Sequence, residues 1–461
     1  MGIKSLELDP TKENILSTIE KDLLDRNESV LQFVKFCNAQ EGKCSIALNA
    51  QWGYGKTFFV KQAKMLFEAL NGFSTSLNEE ERSAVKKAFF TYIGTEENPL
   101  NIQPHFCVYY DAWSNDNDVD PVLSLVYEIV RTTKCDYLLP NIHDIAKIAV
   151  AIIELFTGKN IEGIIEALSG EDLLSTIEAQ KSIQDTVKAF FDSLMEEKGN
   201  RLIIFVDELD RCKPDFAVRF LERIKHYFSD ERITFVFSVN LGELQHTIKR
   251  FYGEGFDAGR YLDRFFDYRV QLPPAVMDRY YQEVGLYDMH AFDKICRAVA
   301  KHYTFSLREL VKFTYSTKIA ADSLIHNSYS GSSERNAMVV ATYLFVPVIM
   351  GVMMVDSNLY NDFIRGRNSA PLVDIIKDES IAMSVCSLLL DQNEVFSGER
   401  YNDGKTVVFL KDKLSQAYDA LLTEDDKRPW GEAKVGNCIF ENRTRETLIQ
   451  IVSMLSRYAS Y

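Results

Sequence analysis

Short unbroken apolar runs alternate, in the first part of this chain, with longer stretches of helical spacing. Ile46-Ala-Leu48, Phe106-Cys-Val-Tyr-Tyr110, Leu202-Ile-Ile-Phe-Val206 and Ile233-Thr-Phe-Val-Phe-Ser-Val239 are largely continuous. Continuous runs of this length fit strands buried on both faces of a parallel sheet. Before and between them, apolar residues recur at the three-to-four residue step of helices. Ile15, Ile19, Leu23 and Leu24 do so, then Val30, Phe33, Val34 and Phe36, then positions from Phe58 to Phe67. A last strand-like stretch, Phe265 to Leu272, ends in Pro273 and Pro274. Beyond about 276 the pattern becomes helical. The expected class is therefore α/β with a parallel sheet over 1–275, followed by a C-terminal helical domain over 276–461. Ser306 with Glu309 three residues later forms a capping-box pattern at a helix start. Residues 327–334 read as a linker, and 398–404 and 424–429 as exposed loops around short helices.

Two polar punctuations of the buried runs carry the chemistry. The first strand runs into Ala50-Gln-Trp-Gly-Tyr-Gly-Lys-Thr57. Gly53 and Gly55 let the backbone turn tightly and aim N–H groups at anionic oxygens. Lys56 is placed to reach β- and γ-phosphates, Thr57 to ligate Mg²⁺, and the helix opening at Phe58 puts the phosphates on a helix N-terminus. The G-x-x-x-x-G-K-[ST] spacing asks for Gly where this chain has Ala50, which is read as a tolerated variant. The second punctuation is Asp207-Glu208 at the end of the Leu202–Val206 run. Asp207 would hold Mg²⁺ opposite Thr57, and Glu208 would polarise an attacking water. A helix-capping acidic cluster is the alternative for the pair alone; beside the Lys56–Thr57 loop, a nucleoside-triphosphate site explains both. Asn240, closing the next strand, is either a γ-phosphate or water contact or an ordinary strand-ending turn residue.

These residues together resemble the KAP P-loop NTPases. The likeness lies in Gln51, Trp52, Gly53, Tyr54, Gly55, Lys56, Thr57 and Phe58, in Tyr110-Asp-Ala-Trp113, and in Val206-Asp-Glu-Leu-Asp-Arg-Cys212. It continues in Phe235–Asn240, Arg260-Tyr-Leu-Asp-Arg264 and Leu272-Pro-Pro274. The chain departs in having Ala50, Glu208 where Asp is usual, and Asn240 where Asp is common. The resemblance implies a P-loop NTPase sheet core with ATP and Mg²⁺ as ligands. It also implies an arginine from a neighbouring subunit, with Arg264 as the first candidate and Arg211 and Arg260 as alternatives. Arg308, in the first turn of the helix after Ser306, resembles the arginine by which related ATPases sense the γ-phosphate; a solvated helix charge is the alternative. Bacterial members of the family often belong to phage-exclusion or other defence systems and work beside a separate effector. That implies an effector partner, while the arginine shared between subunits implies a homo-oligomer.

Composition narrows the setting. The chain of 461 residues is 46% hydrophobic and 26% charged, as in folded proteins, and its formal charge of −15 gives no global attraction to nucleic acid or anionic membrane. Its eight cysteines show no C-x-x-C spacing, which points to a reduced, cytoplasmic compartment rather than a zinc site or disulfide framework. The first ten residues lack the apolar core of a signal peptide.

Two apolar regions bear on membranes. The long separation of Lys56 from Asp207 implies a helical insertion, placed at about 134–196. Its apolar runs are interrupted by Lys147, Glu154, Glu162 and Glu166, too short for a span of about 20 residues. The uncharged Ala337–Val355 would be flagged as a span by a sliding window. Pro347 and Gly351 divide it, and a buried pair of core helices is favoured over membrane contact. On function, the leading expectation is an ATPase that switches conformation or assembly state. A non-hydrolysing, nucleotide-gated scaffold is the second reading, opposed by Glu208. A nucleotide kinase would need a second arginine cluster and a lid, and the sequence offers neither.

Overall fold

The computed structural model describes residues 9–93, 102–118, 120–136, 188, 191–192, 201–228, 230–325, 332–375, 385, 388–389, 405–423 and 432–458. It divides into two compact units, one running from Leu8 to Val276 and the other from Met277 onward. The body of the expected insertion lies outside the described residues, as do the loops 398–404 and 424–429 and most of the linker.

The first unit is built on five parallel strands: β1 (Cys44–Asn49), β2 (His105–Asp111), β3 (Arg201–Asp207), β4 (Ile233–Val239) and β5 (Tyr268–Gln271). Their order is β2-β3-β4-β1-β5, and every pairing is parallel. The apolar runs enter the sheet as their patterning requires, with every residue of β3 and β4 buried. Alternate residues serve opposite layers. Ile203 and Phe205 pack with Ile46, Leu48 and Val236 under α1 (Lys12–Lys21), α2 (Asn27–Asn38), α3 (Lys56–Leu70) and α4 (Glu79–Ile93). Leu202, Ile204 and Val206 face the other side, under α5 (Pro121–Asp136), α6 (Pro214–Tyr227), α7 (Leu241–Tyr252) and α8 (Ala258–Leu262). Only β5 is exposed along most of its length, as befits an edge.

The register aligns the strands' C-terminal ends. Asp111 lies opposite Asp207, Asp207 opposite Ser238, and Asn49 opposite Val239 and Gln271. Open α/β sheets bind ligands at this end. At the other end, Arg201 anchors β3: its buried guanidinium donates to Glu41 O at 2.9 Å, Gly42 O at 2.6 Å and Thr234 Oγ1 at 3.1 Å. Those acceptors offset the cost of burying its charge.

The second unit is mainly helical: α9 (Asp278–Glu283), α10 (Ala291–His302), α11 (Leu307–Ile325), α12 (Ser332–Val340), α13 (Val346–Val355), α14 (Ser357–Ile364), α15 (Ala370–Val373), α16 (Lys405–Leu422) and α17 (Asn442–Tyr458). The capping box forms as expected, with Glu309 N donating to Ser306 Oγ at 3.3 Å and Ser306 N to Glu309 Oε2 at 2.8 Å. Two features differ from expectation. The segment 337–355 is not broken into a pair of helices. Ala341–Phe345 forms a π-helical turn between α12 and α13, and the helix runs on. Pro347 sits in the first turn of α13, just after the wider turn, so a missing amide there breaks no regular α-helical ladder. This helix, Arg335–Val355, is long and apolar enough to cross a membrane, and 72% of its most apolar window is buried within the fold. The second surprise is an antiparallel hairpin, β6 (Glu432–Val435) and β7 (Cys438–Glu441), closed through Gly436 at φ +58° and Asn437. Strands this short carry too little alternation to be read from sequence.

Candidate nucleotide site

The loop after β1 has the predicted backbone. Gly53 and Gly55 adopt φ +81° and +87°, a region costly for residues with a Cβ, and Gly55 is the N-cap of α3. No side chain caps that helix, so its first-turn N–H groups have no side-chain acceptor from within the cap. A buried arginine, Arg26, donates to Tyr54 O at 3.1 Å and fixes the back of the loop. Burial pushes its guanidinium down to about 10. Nothing in the local sequence pattern announced this contact.

Lys56, the first residue of α3, is buried and turned back onto the loop, donating to Ala50 O at 2.8 Å and Gln51 O at 3.1 Å. Burial lowers its pKa, and Asp210 and Asp207 oppose that shift. Thr57 Oγ1 donates to Asp207 Oδ2 at 2.7 Å, so the two expected Mg²⁺ ligands meet across the sheet. Tyr109, on β2, donates to the same carboxylate oxygen at 2.9 Å, and Glu208 N donates to Asp207 Oδ1 at 3.0 Å. Tyr109 was not foreseen: an aromatic inside an apolar strand run reads as core until the register places it beside Asp207. Its phenol is pushed up by burial and by the Asp207 charge.

Glu208 leaves β3 in the left-handed region, at φ +60° and ψ 24°. For a non-glycine this is a strained conformation of the kind concentrated at functional sites. The turn lifts its carboxylate onto Arg211, with Oε1 2.9 Å from Nη1. Burial raises its pKa; Arg211 opposes this, and Asp207, Asp111 and Asp210 reinforce it. Asp210 is buried and accepts Trp52 Nε1–H at 2.6 Å, tying the loop to the short helical turn Leu209–Arg211. Burial raises the Asp210 pKa, with the Trp52 hydrogen bond and Lys56 pulling it down.

The remaining expected site residues lie further out. Asn240 caps α7, its Oδ1 accepting Gly242 N at 3.1 Å and Glu243 N at 3.4 Å, which is the turn-residue alternative in action. Arg264 is exposed and precedes β5, whose Tyr268 pairs with Ile46. Because the phosphate loop follows the other end of β1, Arg264 stands toward the opposite end of the strands from Lys56. Phe58 lies in the first turn of α3. Arg308 opens α11 in the second unit.

These residues fit a phosphate chain with a divalent cation. An uncapped helix start, two left-handed glycines and a buried ammonium are the features that would receive anionic oxygens. Thr57 and Asp207 would supply two hard oxygen ligands to a phosphate-bound Mg²⁺. Among the described residues, no group of three His, Cys, Asp or Glu side chains gathers to hold a metal without phosphate.

A family model described as the KAP family P-loop domain matches residues 27–318. No curated protein matches the chain. Among solved structures the chain is similar to the Aeropyrum pernix ORC2 protein (ADPNP-ADP complexes), with 13% identity over 90% of this chain and 96% of that one, at a TM-score of 0.28. It is also similar to Drosophila ORC bound to GC-rich DNA and Cdc6, with 12% identity over 100% of this chain and 62% of that one, at a TM-score of 0.32. Both likenesses are distant, and the family match stands apart from them.

Proposed function

The chain belongs to the KAP family of P-loop domains, a class of nucleotide-binding NTPases, and from that premise we propose that it is a Mg²⁺-dependent ATPase that uses turnover to switch conformation or assembly state. The observation that carries this reading is the 2.7 Å contact of Thr57 with Asp207, between Lys56 on one side and Glu208 on the other. Residues far apart in sequence converge there in the arrangement phosphoryl transfer to water requires. Lys56 would exchange the Ala50 and Gln51 carbonyls for phosphate oxygens. Thr57 and Asp207 would hold Mg²⁺, which when bound neutralises phosphate charge. Tyr109 and the Glu208 amide keep the Asp207 carboxylate oriented. Glu208 would take the proton of the attacking water.

Equilibrium binding of a fluorescent ATP analogue tests the premise: Lys56→Ala should weaken it by about two orders of magnitude, as loss of buried charge-assisted contacts implies. Equal affinity in the variant and the parent would sink the reading. The non-hydrolysing scaffold is favoured by one observation, the engagement of Glu208 by Arg211, and it predicts tight binding with no phosphate release.

We extend the proposal to assembly. Arg264 is exposed ahead of β5, and in this reading it would meet a phosphate on another copy, so that ATP promotes self-association. Work beside a separate effector in bacterial defence, in the cytoplasm, rests on the family likeness. If it holds, Lys56→Ala should abolish protection of cells challenged with phage; full protection by that variant would contradict it.

A further inference from the structure

Arg211 makes contacts that the ATPase reading leaves unused. Its guanidinium carbon lies 5.9 Å from the ring of Trp52, in the phosphate loop, and 5.3 Å from the ring of Trp113, beyond the end of β2. Both indoles are substantially exposed, Trp52 at 44% and Trp113 at 50%, and they meet at this one cation. The Glu208 ion pair runs through Nη1, 2.9 Å from Oε1, and the Arg211 side chain is 23% exposed to solvent. Its charge also bears on Lys56, helping to push that ammonium's pKa down. A cation this close to the phosphate loop, held between two flat faces and tied by one contact to the expected base, can change partner without leaving its slot.

We propose that Arg211 is the cation that meets the terminal phosphate of a nucleoside triphosphate from the same chain, and that the Glu208–Arg211 pair is the form the site takes before that phosphate arrives. The proposal rests on the ATPase reading and names a further residue for it. A terminal phosphate offers a planar guanidinium several anionic oxygens and more charge than the Glu208 carboxylate it now meets. Transfer of Arg211 to phosphate then frees the Glu208 carboxylate for water. Glu208 and the terminal phosphate thus compete for one guanidinium, and a diphosphate, lacking that group, leaves the pair intact. Arg264 of a second copy is not needed for this step.

The test is a set of equilibrium affinities for ADP and for a non-hydrolysable ATP analogue, both with Mg²⁺. Arg211→Ala should weaken the analogue about tenfold or more while ADP stays within about threefold, as loss of one charge-assisted contact to the terminal phosphate implies. Glu208→Gln should tighten the analogue several-fold, and that gain should vanish in the double variant. With Trp430→Phe as background, Trp52 and Trp113 are the remaining tryptophans. Their emission should then respond to the analogue, not to ADP, and lose that response in Arg211→Ala. Equal weakening of both nucleotides by Arg211→Ala, or a Glu208→Gln gain that survives without Arg211, overturns the proposal. A wild-type chain that binds neither nucleotide overturns it together with the ATPase reading; Lys56-dependent ADP binding with an unchanged ratio overturns this inference alone.

Discussion

Removing the indole N–H of Trp52 should loosen the phosphate loop by a measurable amount. Trp52→Phe keeps an aromatic ring but deletes the donor that reaches Asp210 Oδ2 at 2.6 Å. Although the indole is partly exposed, Asp210 is only 5% exposed, and its Oδ1 has no side-chain or backbone partner within hydrogen-bond geometry. The carboxylate cannot readily turn to water for a replacement. A hydrogen bond to a charged group contributes about 1.5–3 kcal/mol, and leaving its buried acceptor unsatisfied costs a similar amount. A destabilisation of about 2 kcal/mol corresponds to roughly 4–8 °C in the melting transition of a unit of this size. The assay is thermal unfolding of the ligand-free protein by circular dichroism, repeated for Asp210→Ala and for the double variant. The cycle should give a coupling of about 1.5 kcal/mol or more, because each single change removes the same contact. Additivity within about 0.5 kcal/mol would mean that the Trp52–Asp210 contact contributes nothing to holding the loop.

Three further outcomes follow from the structure. In the helical unit, Gly351→Ala would drive a Cβ into Val299 Cγ1, so the unit should lose about 1–3 kcal/mol in chemical denaturation, with Val299→Ala in the same chain recovering part of it; an unchanged midpoint would refute this packing. Burial holds buried His105 down to about 4, against an ordinary value of 6.5, so the unfolded chain takes up the proton first as pH falls. Stability present above pH 6.5 should therefore drain away between about 6.5 and 4, by up to about 3 kcal/mol, and His105→Gln should flatten that window in unfolding measured against pH. If assembly is real, turnover per chain should rise with protein concentration, and mixing Arg264→Ala with Lys56→Ala chains should restore some activity; a protein that stays monomeric with ATP at concentration-independent turnover would refute it.

The sheet was legible because strands buried on both faces write continuous apolar runs, and β1 to β4 fall where those runs lie. The geometry at the centre of the candidate site was legible for a related reason: the left-handed Gly53 and Gly55 and the helix start at Lys56 follow from spacing within one loop. Asp207 and Glu208 close a strand whose end must face the ligand edge. What escaped notice depends on register between distant segments. Tyr109 and Arg26 look like an ordinary strand aromatic and a turn arginine until pairing places one beside Asp207 and the other under Tyr54. The same holds for Trp52, whose partner Asp210 lies far along the chain. Asn240 shows the converse, since a polar strand end beside the site is drawn into capping the next helix. In the second unit, the π-helical turn lets Pro347 pass without ending the helix, an accommodation that a Pro-as-breaker reading does not anticipate.

The central claim is that Glu208 activates water against a phosphate held by Lys56, Thr57 and Asp207. Phosphate release from ATP with Mg²⁺, compared between the parent and Glu208→Gln under matched nucleotide occupancy, tests it most directly. The account predicts that Glu208→Gln still binds ATP while release slows by about two orders of magnitude or more, as loss of a general base implies. Turnover unchanged within about threefold at equal occupancy would contradict it and remove Glu208 from the chemistry.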